Sequence, residues 1–174
     1  MKRILVPVDF SKPAFRALDY ALDLAKWLGA EITACFVVEP IYFAVPHVDG
    51  QSAALAAVMA DQRRNATAQM TRLQRRYAAR GVNLATCVAD GIAAEAIVAV
   101  ATRLKADLIV IATHGRTGVS RFFFGSVAER VVRAAPCPVL TLRAAVRSAR
   151  PAAPRRSAPA RRRAIGRRAA ERVA

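Results

Sequence analysis

Two hydrophobic rhythms alternate along the chain. Residues 3–8, RILVPV, are an almost unbroken apolar run, and similar runs occupy 31–38, 82–89, 107–112 and 137–142. Runs of this length without polar alternation mark strands covered on both faces. Between them apolar residues recur every three or four positions. Leu18, Ala21, Leu22, Ala25 and Leu28 draw a helical stripe. Ser11 can cap that helix, Pro13 suits its first turn, and Gly29 ends it. Residues 51–80 read as a long helix with Leu55, Val58, Met59, Gln62 and Ala66 on one side, stopped by Gly81. Residues 92–104 form a third helix, with Ile97, Val100, Ala101 and Leu104 in register, and 126–135 a short fourth.

The resulting order, β-α-β-α-β-α-β-α-β, predicts an α/β fold: a parallel five-stranded sheet, doubly wound, with right-handed crossovers. Ligands of such sheets bind beyond the carboxyl ends of the strands, where the strand order reverses. For the order 3-2-1-4-5 that point lies between the first and fourth strands. Periodicity alone does not give the order.

Beyond residue 143 the pattern stops. Residues 144–174 are Ala, Arg, Pro and Ser, with ten arginines against Glu171. Such a segment buries too little apolar surface to offset its ordering entropy, so a disordered tail is expected after a domain spanning 1–143. The tail holds +9 of the formal net charge of +16. It suits non-specific polyanion binding that weakens steeply with salt, and it has no aromatic residue to stack on bases. The basic half of the second helix, Arg63 to Arg80, reads as a solvated face.

Other features narrow the function class. No apolar stretch reaches the ~20 residues of a membrane span. The apolar run at the start is cut short by Asp9, unlike a signal peptide. Cys35, Cys87 and Cys137 are widely spaced in apolar surroundings, as free thiols are. A cytoplasmic protein is expected. No paired-carboxylate site, metal cluster or nucleophile with a neighbouring base is visible, and His114 lacks an evident partner. An enzyme is not expected, beyond slow hydrolysis of a bound nucleotide.

The stretch with most chemistry is LIVIATHGRTGVSRFFFGSVAERV, residues 108–131. A loop leaves a central strand and enters a helix whose first amides are unpaired and whose dipole favours an anion. Gly115 and Gly125 allow close backbone approach, and Ser126 adds a hydroxyl. This is a candidate phosphate cradle. It is neither a Walker loop nor a dinucleotide fingerprint, because the first strand–helix turn, PVDFSKPAF, has no glycine. Ser126 and Glu129 also match a capping box. Phe122, Phe123 and Phe124 suit packing of the loop or a subunit contact.

The chain resembles the universal stress protein family of the ATP-binding type. That pattern is G-x-x-G, nine residues, then G-[ST], after the fourth strand. Here it runs Ala112-Thr113-His114-Gly115, nine residues, then Gly125-Ser126. The resemblance takes in ILVPVDFS, DGIAAEAI, ADLIVIATHGRTG and GSVAERVVRAAPCPVLTL, and covers residues 1–143. It implies a Rossmann-like domain with the order 3-2-1-4-5 and a regulatory role in stress response. It implies an ATP site in which Pro7, Val8 and Asp9 lie by the nucleoside, Val37 and Val38 line the base pocket, and Ala112, Thr113, Gly115, Gly125, Ser126 and Val127 hold the phosphates. Magnesium would arrive with ATP and keep several waters. The family commonly dimerises through the last strand, here 137–142. The pattern's first glycine is Ala112. With ordinary strand angles there, alanine fits. With a glycine-only angle the nucleotide site is lost, leaving a dimeric protein that acts through its basic tail.

Overall fold

In the computed structural model the described residues are 2–40, 51–113 and 125–143. They form β1 (Arg3–Pro7), α1 (Lys12–Leu28), β2 (Glu31–Val38), α2 (Gln51–Ala78), β3 (Leu84–Asp90), α3 (Ala93–Leu104), β4 (Leu108–Ala112), α4 (Ser126–Ala134) and β5 (Val139–Leu142). All strand pairs are parallel, in the order β3-β2-β1-β4-β5. The expected topology is the observed one. Residues 144–174, the basic tail of the sequence analysis, lie outside the described residues.

Alternate strand residues feed two cores. Ile4, Val6, Ile32, Ala34, Leu108 and Val110 pack with α1 and α2, whereas Leu5, Cys35, Ile109 and Ile111 pack with α3 and α4. Two-sided burial is why these strands lack polar alternation. Ser11 caps α1, its Oγ accepting from the Ala14 amide at 3.2 Å, with Pro13 in the first turn. Gly29 ends the helix at φ +62°, an angle that strains any residue with a Cβ. No described helix is long and apolar enough to cross a membrane.

The sheet opens at its carboxyl end. β1 pairs with β2 over five residues, Arg3 to Pro7, but with β4 only at Ile4↔Leu108 and Leu5↔Ile109. The Val8 amide still donates to the Cys35 carbonyl of β2 at 2.8 Å. Backbone N–H groups alternate sides along a strand, so the residue before Val8 would donate toward β4. That residue is Pro7, which has no N–H. β4 turns instead to β5, pairing through Ala112↔Leu142.

α2 departs from the predicted stripe. Among its described side chains the buried ones are Ala66, the last of the predicted stripe, with Met70, Leu73 and Tyr77 beyond it, while Leu55 and Val58 at the start of the stripe are 39% and 45% exposed. A helix of 28 residues is about 42 Å long, whereas the seven residues of β3 span about 23 Å. Arg63 forms an ion pair with Asp90, the last residue of β3. That contact marks where α2 passes the end of the sheet, so residues before it have no strand beneath them. The Tyr77 hydroxyl donates to Asp19 at 2.6 Å and ties α2 to α1. Burial, with the hydrogen bond to Asp19, pushes its phenol up to about 12.

At the opposite end the Asp107 carboxylate accepts from the amides of Lys2 and Arg3, at 2.6 and 2.9 Å. These bonds hold its pKa below the usual carboxylate value. A lowered carboxylate pKa contributes stability above its unfolded value, and that contribution fades as pH falls through the folded one. Asp107→Asn should therefore flatten the acid limb of the stability–pH curve while leaving the neutral-to-alkaline limb parallel to wild type, as followed by thermal melts from pH 2 to 9. Truncating the two halves of α2 should have unequal effects. Met70→Ala should cost about 2–5 kcal/mol in urea unfolding, and Leu55→Ala within about 0.5 kcal/mol.

Candidate functional site

Where β1 and β4 separate, a cavity of about 380 Å3 opens. That size suits a small-molecule ligand. Pro7, Val8 and Asp9 at the end of β1 form its floor with Ile111, Ala112 and Thr113 of β4. One wall is the end of β2, Cys35 to Val37 and Glu39, with Ala93 and Ile97 of α3. The other wall is Gly125 to Ala128, the start of α4. A more open groove of about 510 Å3, lined by Thr71, Arg75 and Asn83 among others, lies between α2 and β3 away from the strand ends that carry this chemistry.

The residues after β1 are held by a sharp turn. Phe10 has φ +62°, the left-handed region that a residue with a bulky side chain seldom enters. Its ring is wedged between Phe36, at 5.0 Å between centroids, and Phe15, at 6.3 Å. Such packing compensates a local strain of about 1–3 kcal/mol. Asp9 Oδ1 accepts from the Ser11 amide at 3.0 Å, so the carboxylate supports the start of α1 while lining the cavity.

The β4 side ends at Thr113, which is 2% exposed. Its amide donates to the Leu142 carbonyl at 2.9 Å, and its own carbonyl accepts from the Gly125 amide at 2.7 Å. Thr113 thus clamps the end of β4, the end of β5 and the start of α4 together. Ala112 lies in regular strand, and among the described non-glycine residues only Phe10 and Lys105 have positive φ. The backbone angle at Ala112 is therefore one that alanine adopts without strain.

α4 corrects the capping-box reading. Its N-cap is Gly125, Ser126 is the first helical residue, and no side chain caps the helix. The Glu129 amide bonds the Gly125 carbonyl, and the Glu129 carboxylate pairs with Arg133 at 2.9 Å. Ser126 and Glu129 sit one position too far along the helix to cap each other. The N-terminal positive end therefore faces the cavity through glycine, the smallest possible cap.

Of the residues singled out from the sequence, Pro7, Val8, Asp9, Val37, Ala112, Thr113, Gly125, Ser126 and Val127 line this one cavity. Val38 does not. Strand side chains alternate faces, and Val38 is buried, 5% exposed, away from the opening. Gly115, His114 and Phe122 to Phe124 lie outside the described residues. Sequence reasoning missed Cys35, Glu39, Ala93 and Ile97. The signal for Glu39 was its place immediately after β2.

Cys35 stands in register with Cys87 of β3. Hydrogen bonding with Cys87 and burial push the Cys35 thiol up, while the same bond lowers Cys87. Among the described residues no group of three or more His, Cys, Asp or Glu side chains could hold a metal ion.

Comparisons with known proteins agree with this geometry. The Universal stress protein family model matches residues 1–143. A universal stress protein of Methanocaldococcus jannaschii is 34% identical over 142 residues, 82% of each chain. The structure of the universal stress protein UspA from Lactobacillus plantarum superposes with a TM-score of 0.69 at 30% identity, covering 82% of this chain and 97% of that one. The fold is also that of a universal stress protein from Archaeoglobus fulgidus in complex with dAMP, at a TM-score of 0.53 and 21% identity, over 81% of this chain and 97% of that one. A parallel sheet in the order 3-2-1-4-5, a cavity at its switch point and a family match across the whole domain lead to one assignment: this chain belongs to the universal stress protein family.

Proposed function

We propose that the cavity binds an adenine nucleotide, ATP with its magnesium, and that the protein works as a regulatory binding module whose state follows the nucleotide. The observation that carries this reading is the start of α4, a helix N-terminus capped only by Gly125 and set in the cavity wall. Unpaired helix amides and the helix dipole suit phosphate. Ser126 and Val127 would supply those amides, with Gly125, whose own amide is bonded to Thr113, letting the phosphates approach closely and Thr113 beside them, and Gly115 belongs to the same proposed loop outside the described residues. Pro7, Val8 and Asp9 would lie against the nucleoside and Val37 against the base. The adenine nucleotide held by the Archaeoglobus fulgidus relative is the ligand class this cavity suits. Ala112 supports the reading over the loss-of-site alternative, because its strand conformation does not require glycine.

Isothermal titration of ATP with magnesium into the full chain tests the proposal. Micromolar binding is expected, with Ala112→Gly changing affinity by less than about threefold, roughly 0.6 kcal/mol. Ser126→Asp should separate stability from binding. A carboxylate in the first turn stabilises a helix by about 0.3–1 kcal/mol, so the melting temperature should hold or rise. The same charge repels phosphate, so ATP affinity should fall more than about tenfold, consistent with like-charge repulsion at close range. Unchanged ATP affinity in Ser126→Asp would remove the phosphates from α4.

We also propose that two copies join through β5, the strand at the end of the sheet order, whose four residues are half-buried. An unpaired edge presents free backbone donors and acceptors. Backbone groups of Pro138 and Leu142 face β4, so the alternate residue Thr141 faces the open edge, and Thr141→Pro removes one amide there. Light scattering should report a dimer for wild type and a shift to monomer for this variant.

A further inference from the structure

Three helices begin at the cavity; α1, whose Ala14 is part of the lining, is capped by the Ser11 side chain, and the other two are finished differently. α4 starts at Gly125 with no side-chain cap. α3 starts at Ile92, likewise without a cap of its own, but the Ala93 amide donates to Glu39 Oε1 at 3.0 Å. Glu39 follows the end of β2, and both it and Ala93 line the cavity. The N-terminus of α3 is thus already matched with a carboxylate from the protein.

This difference gives the cavity a polarity. A fixed negative charge at the β2–α3 wall repels phosphate and leaves α4 as the anion end. The remaining wall is apolar, with Val37 on β2 and Ile97 on α3, surfaces that suit the faces of a flat heterocycle. Glu39 stands on that same wall. One carboxylate oxygen serves the Ala93 amide, and no other polar contact to Glu39 is found among the described residues. An ionised carboxylate only accepts hydrogen bonds.

We propose that Glu39 reads the base of the bound nucleotide, accepting a hydrogen bond from an exocyclic amino group and discriminating against a carbonyl at the same ring position. This rests on the nucleotide reading above and adds the selectivity that reading lacks. A 6-amino purine offers N–H donors to the carboxylate. A 6-oxo purine presents lone pairs there and must either shift or leave its oxygen facing a like partial charge. Glu39 is exposed at the rim, so water competes for its oxygens. The discrimination should therefore be about tenfold, at the modest end for a hydrogen bond to a charged group.

The test compares ATP with inosine triphosphate, which differs at position 6, by calorimetric titration of the full chain and of Glu39→Gln. Wild type should favour ATP about tenfold. In Glu39→Gln the Ala93 amide still needs an acceptor and keeps the glutamine oxygen, so the –NH2 group is left for the base. The ATP/ITP affinity ratio should then fall to about one or below, through tighter ITP binding as well as weaker ATP binding. Wild type binding both nucleotides equally overturns the role of Glu39 while the nucleotide site stands, and needs no variant to read. Wild type binding neither removes the site and this proposal together. A variant that weakens both by the same factor assigns Glu39 to supporting the start of α3 and overturns base reading.

Discussion

The two-residue ladder between β1 and β4 is the contact on which the architecture turns. It joins the sheet's two halves, yet it stops early because Pro7 has no amide to offer β4. A longer ladder would close the sheet up to its carboxyl end. The short one leaves the strands diverging, β1 toward β2 and β4 toward β5, and the gap becomes the cavity. The site is therefore a consequence of how the sheet pairs, and the loops around it add chemistry to an opening that the backbone has already made.

Around that opening the fold assembles polar groups with little help from side chains. Right-handed crossovers place α1 and α2 on one face and α3 and α4 on the other. The starts of α3 and α4, from opposite sides of the reversal, then meet at one cavity. Thr113 clamps two strands to α4 with backbone bonds, and the strained turn at Phe10 is pinned by two neighbouring rings. Rigidity at the rim comes from these local devices, since the sheet ladder has ended there.

Much of this was legible in the sequence, for identifiable reasons. Strands buried on both faces must be apolar throughout, so β1, β2 and β4 stood out as runs, and the half-buried outer strands β3 and β5 were apolar enough to be read with them. Their order came from the family resemblance, because the hydrophobic pattern is the same whichever strands are neighbours. Val37 and Val38 were indistinguishable by type, and the period of two in β2 decided which faces the cavity. The S-x-x-E match at 126–129 suggested a cap, but the helix begins one residue earlier than the motif requires. Leu55 and Val58 continue the stripe of α2 past the point where β3 ends, information that a periodicity cannot hold. Glu39 escaped notice because its partner, Ala93, is 54 residues away and is a backbone amide that any residue type would supply.

The pairing of Ile4 with Leu108 also has a consequence for how the chain is made. A ribosome adding about 5–20 residues per second needs roughly 5–20 seconds to travel from one to the other. During that interval β1, α1, β2, α2 and β3 can associate, because each finds its neighbour within the part already synthesised. The free edge of β1, bordered by Ile4, Leu5 and Val6, stays open until β4 emerges. Pro7, which later spreads the strands, also removes one amide from that waiting edge and shortens the template it offers to a passing strand. One residue thus serves the nascent chain as a guard against mispairing before it serves the folded protein as the origin of its cavity.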